Sequence, residues 1–192
     1  MQVTIPTGFK ITEEQFDQIA AVEDVNKLEL TATGELIVMS PTGGETGDKN
    51  SELNGQLWLW NKQTGLGKCF DSSTLFILPS RARRSPDVSW ILNDRWNQLT
   101  LEEKRQFPPI APDFVIELVS PSDNTKARYQ KLQDKMHEYI DNGVRLGWLI
   151  NPETKVVEIY RINQPVEIIE NPATLDGEDV LVGFVLNLNN II

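Results

Sequence analysis

The run APDFVIELVS, residues 111–120, constrains the fold more than any other stretch of the chain. Phe114, Val115, Ile116, Leu118 and Val119 are strand formers that put apolar side chains on both faces, so their strand is buried from both sides. Glu117 stands in the middle of it. A buried carboxylate with no partner costs several kcal/mol, so it must be protonated, paired or coordinated to a cation. The fold therefore has to cover a sheet on both sides and give Glu117 something to meet.

The elements around this strand follow from periodicity. Thr12 with Gln15 reads as a capping box opening a short N-terminal helix that carries Phe16 and Ile19, and LELTATGELIVM reads as a hairpin around Thr33-Gly34. SPTGGETGDKN reads as a glycine-rich loop that lacks the Gly-Lys-Ser/Thr ending of a phosphate-binding loop. From about Asn50 the spacing of Leu53, Leu57 and Trp60 predicts a helix ending at Gly65. KCFDSSTLFIL, SPDVSWIL and PDFVIELVS then read as three strands, with one short helix in the insert DRWNQLTLEEKRQFPPIA. Residues 125–142 form the clearest helix, with Tyr129, Leu132, Met136, Tyr139 and Ile140 on one face. RLGWLINP and VVEIYR are further strands, and the weakly patterned remainder supplies edge strands and loops. This is an α+β chain whose core order, helix, three strands, helix, strand, predicts a central sheet flanked by helices. Its length of 192 residues fits one domain over residues 1–192, with no repeat or linker to divide it.

Alternation places Asp113, Val115, Glu117 and Val119 on one face of their strand, and Asp87, Ser89 and Ile91 on one face of theirs. If the strands are neighbours, Asp87 and Glu117 stand at similar height. Two carboxylates so close raise one another's pKa unless a cation sits between them, and hard oxygen ligands suit magnesium or manganese. The alternative for Asp87 is a surface acid on an edge strand.

SPDVSWI, PDFVIELVSPSD and KMHEYIDNGVRLGWLINP together resemble the Uma-two family of restriction-endonuclease-like proteins, within the PD-(D/E)XK nuclease superfamily. The resemblance runs from about Leu30 to Tyr160 and implies a restriction-endonuclease-like fold, a central mixed β-sheet flanked by helices in the order αβββαβ, with a core at about 49–160. It also implies magnesium-dependent phosphodiester hydrolysis, with Asp87 as the first acid and Glu117 as the second. The lysine usual two positions after the second acid is replaced by Val119; the resemblance implies that Lys135 on the following helix takes its role, and a long lysine stem lying beside Tyr139 can deliver its ammonium to the sheet. The metal set expected is Asp87, Glu117 and the backbone carbonyl of Leu118, with Glu52 as a further metal-side acid or simply a favourable charge in the first turn of its helix. Ser120 and Ser122 read as turn hydroxyls, Asp113 as an edge acid and His137 as a solvated residue.

Charge sets the rest. A net charge of −10 repels nucleic acid as a whole, and Arg81, Arg83 and Arg84 form the one dense basic group, read either as a solvated loop or as a weak guide for a nucleic-acid backbone. The expected substrate is nucleic acid, with DNA ahead of RNA. Two other readings stay open: a nuclease-fold binding module with weak or no catalysis, and a transposon-associated or repair nuclease that needs a basic partner protein. Five tryptophans supply material for a homodimer interface. No stretch is apolar enough to span a bilayer, the amino terminus lacks the layout of a signal peptide, and lone Cys69 forms no internal disulfide, so a cytoplasmic location is expected.

Overall fold

The structure is a computed structural model that describes residue 6, residues 8–23 and residues 26–192. Its elements in chain order are α1 (Glu13–Ala20), β1 (Lys27–Leu30), β2 (Leu36–Met39), α2 (Gly44–Thr64), β3 (Gly67–Asp71), β4 (Phe76–Ile77), β5 (Arg83–Arg84), β6 (Val88–Leu92), α3 (Asn93–Trp96), α4 (Leu101–Arg105), β7 (Phe114–Leu118), α5 (Lys126–Asp141), β8 (Leu146–Asn151), β9 (Val156–Arg161), β10 (Glu167–Glu170), β11 (Thr174–Asp176) and β12 (Val185–Asn187). Six strands form the main sheet in the order β10-β9-β8-β7-β6-β3. Its one parallel pairing joins β7 to β8 across the α5 crossover, and the remaining pairs are antiparallel. A smaller sheet, β2-β1-β5-β4, lies beside it, and β11 pairs with β12. The predicted core order is present as α2, β3, β6, β7, α5, β8.

Both faces of β7 are covered, which explains its unbroken apolar run. One face carries Phe114, Ile116 and Leu118 against Leu53, Leu57 and Trp60 of α2 and against Phe184, Leu186 and Leu188 near the C-terminus. The other carries Val115 and Val119 against Met136 and Tyr139 of α5. A third, smaller core joins Phe16 of α1 to Leu28, Leu30 and Leu36 of the hairpin. Thr12 caps α1 with Gln15 in a capping box, and Gly65 ends α2 in the left-handed conformation, both as predicted.

Three expectations are corrected. Helix α2 begins at Gly44, not near Asn50, because Gly43 serves as its N-cap and the glycines that suggested a loop occupy its first turns. KCFDSSTLFIL is two strands in two sheets, since Asp71 accepts the Ser73 N–H at 2.9 Å and turns the chain after β3. The insert before β7 holds two helices, the second capped by Thr100 and Glu103.

Candidate active site

The pairing of Val88 with Ile116 and of Ser89 with Val115 sets the register of β6 on β7. Continued by one residue, it stands Asp87 across from Glu117. Asp87 Oδ2 accepts the Leu118 N–H at 2.9 Å, which holds its carboxyl over the end of β7. Asp87 is partly exposed and Glu117 is buried, so Asp87 forms the solvent side of the pair.

Helix α5 completes the group. Lys135 and Tyr139 are one turn apart on its buried face. Lys135 Nζ lies 2.7 Å from Glu117 Oε1, and the Tyr139 hydroxyl donates to the same oxygen at 2.9 Å. The ammonium also lies 2.9 Å from Glu29 Oε1, on β1. Glu29 is 1% exposed; it accepts from Arg84 Nη1 and from the Ser85 N–H, each at 2.9 Å. Arg84 in turn donates through Nε to Glu138. Lys135 is thus a bridge between a strand of the main sheet and a strand of the hairpin.

The electrostatics follow from this packing. Burial pushes Glu117 up to about 7 against the attraction of Lys135, and the charges of Asp87 and Glu29 push the same way as burial. Asp87 is raised by burial as well. Glu29 goes the other way: burial opposes its charge, but Lys135, Arg84 and the Ser85 N–H outweigh it and lower its pKa. Lys135 is raised because Glu117 and Glu29 overcome the cost of burying its charge. Four carboxylates (Asp87, Glu117, Glu29 and Glu138) here meet two close cations, Lys135 and Arg84. The cluster is short of positive charge.

Its donors fit a hard divalent ion. Both hydrogen bonds on Glu117 fall on Oε1 and the one on Asp87 falls on Oδ2, so each carboxylate keeps an oxygen free of hydrogen bonds among the described residues. No cluster of three or more His, Cys, Asp or Glu side chains poised for a metal occurs among the described residues, so an ion here would draw on the Leu118 carbonyl and water besides the two acids. A cleft of about 260 Å³ opens at the end of β7, lined by Leu118 and Val119 and by Glu45, Thr46 and Lys49 of α2.

The sequence matches the family described as "Putative restriction endonuclease", Uma2, over residues 13–189. The chain belongs to the Uma2 family. The crystal structure of a protein titled a putative nuclease belonging to DUF820, from Anabaena variabilis, superposes with a TM-score of 0.73 at 21% identity, covering 91% of this chain and 94% of the other. It shares the fold of this Uma2 chain. No curated protein matches the chain.

Of the residues singled out in this Uma2 sequence, Asp87, Glu117, Leu118 and Lys135 come together. Glu52 stands apart: it sits in the third turn of α2, not the first, and binds Gln56 Nε2 at 2.9 Å, while Gln56 reaches Asn187. Glu45 holds the first-turn position instead. The solvated-loop reading of the arginines is corrected for two of the three. Arg83 and Arg84 form the buried strand β5; Arg83 pairs with Asp17 at 3.2 Å and stacks over Phe16, and Arg84 is held as described. Neither is free to reach a phosphate. Arg81 is exposed beside Glu13. Asp113 is no edge acid but a buried one, 2.9 Å from Arg95 Nη1 and capping the Leu92 N–H. Ser120 and Ser122 bond each other in a turn, and His137 is exposed against Tyr160. Glu29 is the residue that sequence reasoning missed.

Proposed function

We propose that this Uma2 protein is a metal-dependent endonuclease that hydrolyses phosphodiester bonds, with DNA as its substrate. The observation that carries the reading is Lys135 Nζ at 2.7 Å from Glu117, with Asp87 across the strand pair. This sets two acids and a lysine at one strand end, although Val119 occupies the usual lysine position. Asp87, Glu117 and the Leu118 carbonyl would hold magnesium or manganese. When bound, such an ion supplies a water of lowered pKa and neutralises charge developing on the phosphate.

The remaining work falls to the side chains. Lys135 keeps its proton because Glu29 and Glu117 both attract it, so it presents a fixed positive charge to the attacking water or to a phosphate oxygen. Tyr139 fixes the Glu117 carboxylate in orientation. Glu29, itself fixed by Arg84, holds the lysine from behind and keeps it in one position.

One observation favours a second reading, a nuclease-fold binding module. Lys135 and Tyr139 already satisfy one oxygen of Glu117 without any metal ion. Titration calorimetry of magnesium and manganese into wild type and Glu117→Gln, followed by cleavage of plasmid DNA, separates the two. The nuclease reading expects metal uptake and cleavage that are both lost in Glu117→Gln and in Asp87→Asn. Absence of uptake at millimolar metal, or full cleavage by either variant, overturns it.

A further inference from the structure

A second cleft, of about 530 Å³, lies between α2 and the edge strand β3. Its walls are Asn50, Ser51 and Asn54 on the helix, Asp71 and Ser72 at the end of the strand, and Trp58. The helix wall is low because Gly47, Ser51 and Gly55 recur every four residues, and a Cβ added at either glycine would meet nothing within 4 Å. Trp58 is 54% exposed, whereas Trp60, Trp90 and Trp148 are buried. Lys62 sits 5.3 Å from its ring centroid.

From the α2 face of the sheet, this cleft reaches the backbone that carries the acid pair. Asn54 Nδ2 donates to the Asp87 carbonyl at 3.3 Å, and Asp71 of β3 pairs with Val88, the residue after Asp87. Trp58 lies one helical turn, about 6 Å, beyond Asn54. The chemistry of the walls differs from that of a phosphate site. The one charged lining residue is Asp71, whose pKa is lowered by the hydrogen bonds of Ser73, so an ionised carboxylate repels phosphate there. What the cleft offers is neutral: hydroxyls, Cys69, Phe70, an indole and two asparagine side chains, of which the Asn54 amide nitrogen already bonds the Asn50 and Asp87 carbonyls. Asn50 Oδ1 is buried behind this wall without a hydrogen-bond partner, so the cleft's accessible polar groups lie on its other residues. Amides and hydroxyls match the polar edge of a base, and an exposed indole stacks on its face. Volumes of about 300–1,000 Å³ suit small-molecule ligands of nucleotide size.

We infer that the cleft between α2 and β3 is a base-binding subsite, which takes an unpaired nucleobase next to the scissile phosphate and stacks it on Trp58. This rests on the phosphodiesterase reading above and adds to it a preference for unstacked, single-stranded substrate. Asp87 and Glu117 handle the phosphate, and Trp58 handles the base beside it.

The test is fluorescence anisotropy with a labelled oligothymidylate of about twelve nucleotides and with an abasic strand of the same length, in calcium, against wild type and Trp58→Ala. Stacking on an aromatic contributes about 1–3 kcal/mol per base, so Trp58→Ala is expected to weaken thymidylate binding about 5- to 150-fold. Trp58→Phe should recover most of that loss, and the abasic strand should bind both proteins equally and more weakly. Because Trp58 is exposed, its removal leaves the fold intact, which a thermal melt verifies. Equal binding of the thymidylate and abasic strands by wild type, or no binding of either, overturns the inference. So does a Trp58→Ala protein that dissociates from dimer to monomer with its thymidylate affinity unchanged, since the surface would then serve a second copy of the chain. None of these outcomes touches the metal titration at Glu117, so the subsite and the nuclease reading fail separately.

Discussion

Lys135 answers two buried carboxylates at once, and this arrangement makes the charge state of Glu117 the variable of the site. Burial holds Glu117 at about 7, above the ordinary value of 4.5. Between those two pH values the folded protein keeps a proton that the unfolded chain has lost, so the contribution of Glu117 to stability declines as pH rises through that window. Glu29 is lowered, so its contribution is present above the ordinary carboxylate range and is lost on acidification. The two acids share one lysine yet tilt stability in opposite directions. Metal-free wild type is therefore expected to lose stability relative to Glu117→Gln between about pH 5 and about pH 7.5, with millimolar magnesium reversing the loss at the upper end. Thermal midpoints of both proteins across this range, with chelator and then with magnesium, check this; parallel profiles refute it. At this scale Glu117 was legible because an acid inside a two-faced apolar strand has few places to go, and Asp87 because alternation sets it level with Glu117 if the two strands are neighbours. Glu29 was not. KLEL alternates like any half-exposed strand, and the partners that bury its carboxylate, Arg84, Ser85 and Lys135, lie far along the chain. The same distance hid Arg83 and Arg84, whose acids sit on α1, β1 and α5.

Helix α2 lines both clefts, and glycine shaped what could be read of it. Each glycine in a helix interior costs about 1 kcal/mol relative to alanine, so GGETG argues for a loop until the tertiary contacts overrule it. Strands β6, β7 and β8 were legible because long apolar runs buried on both sides leave no other reading, whereas β4 and β5, two residues each, are too short to show a period. The glycines on either side of the helix end differ in kind. A Cβ at Gly67 would come within 2.3 Å of the Ile91 carbonyl oxygen and of the Trp90 ring, so β3 can pair with β6 under that indole only if residue 67 has no side chain. A Cβ at Gly55 would stand in open space. Gly67→Ala is expected to destabilise the protein by about 1–3 kcal/mol. Gly55→Ala should stabilise it by about 0.5–1 kcal/mol through the unfolded chain. Urea denaturation of the two variants measures both, and a neutral Gly67→Ala would show that β3 can shift away from Trp90.

At the scale of the whole molecule, the charged site sits on one face of the main sheet and the segment after β10 on the other. Leu175, Val180, Leu181, Phe184, Leu186, Leu188 and Ile191 are all buried in the core on the α2 face. Trp60 ties this segment to α2 through its Nε1, which donates to the Val182 carbonyl, and Trp148 stacks on Phe184. The sequence left this region weakly patterned because its residues meet the core through turns and a short strand pair, where neither a helical nor a strand period develops. Energetically it is not an appendage. Burying a large apolar side chain contributes about 1.5–3 kcal/mol, so these seven together account for roughly 10–20 kcal/mol of transfer free energy. That is comparable to the whole net stability of a typical domain, about 5–15 kcal/mol. A chain ending at residue 172 is therefore expected to lose cooperative unfolding, with its near-ultraviolet circular dichroism flattened while helical signal persists. Single replacement of Phe184 by alanine gives the graded version, a loss of about 3–5 kcal/mol. A truncated chain that melted cooperatively near the wild-type temperature would mean that α2 and the sheet hold together without this cover. The base-binding cleft on α2 would then stand on a helix supported by the sheet alone.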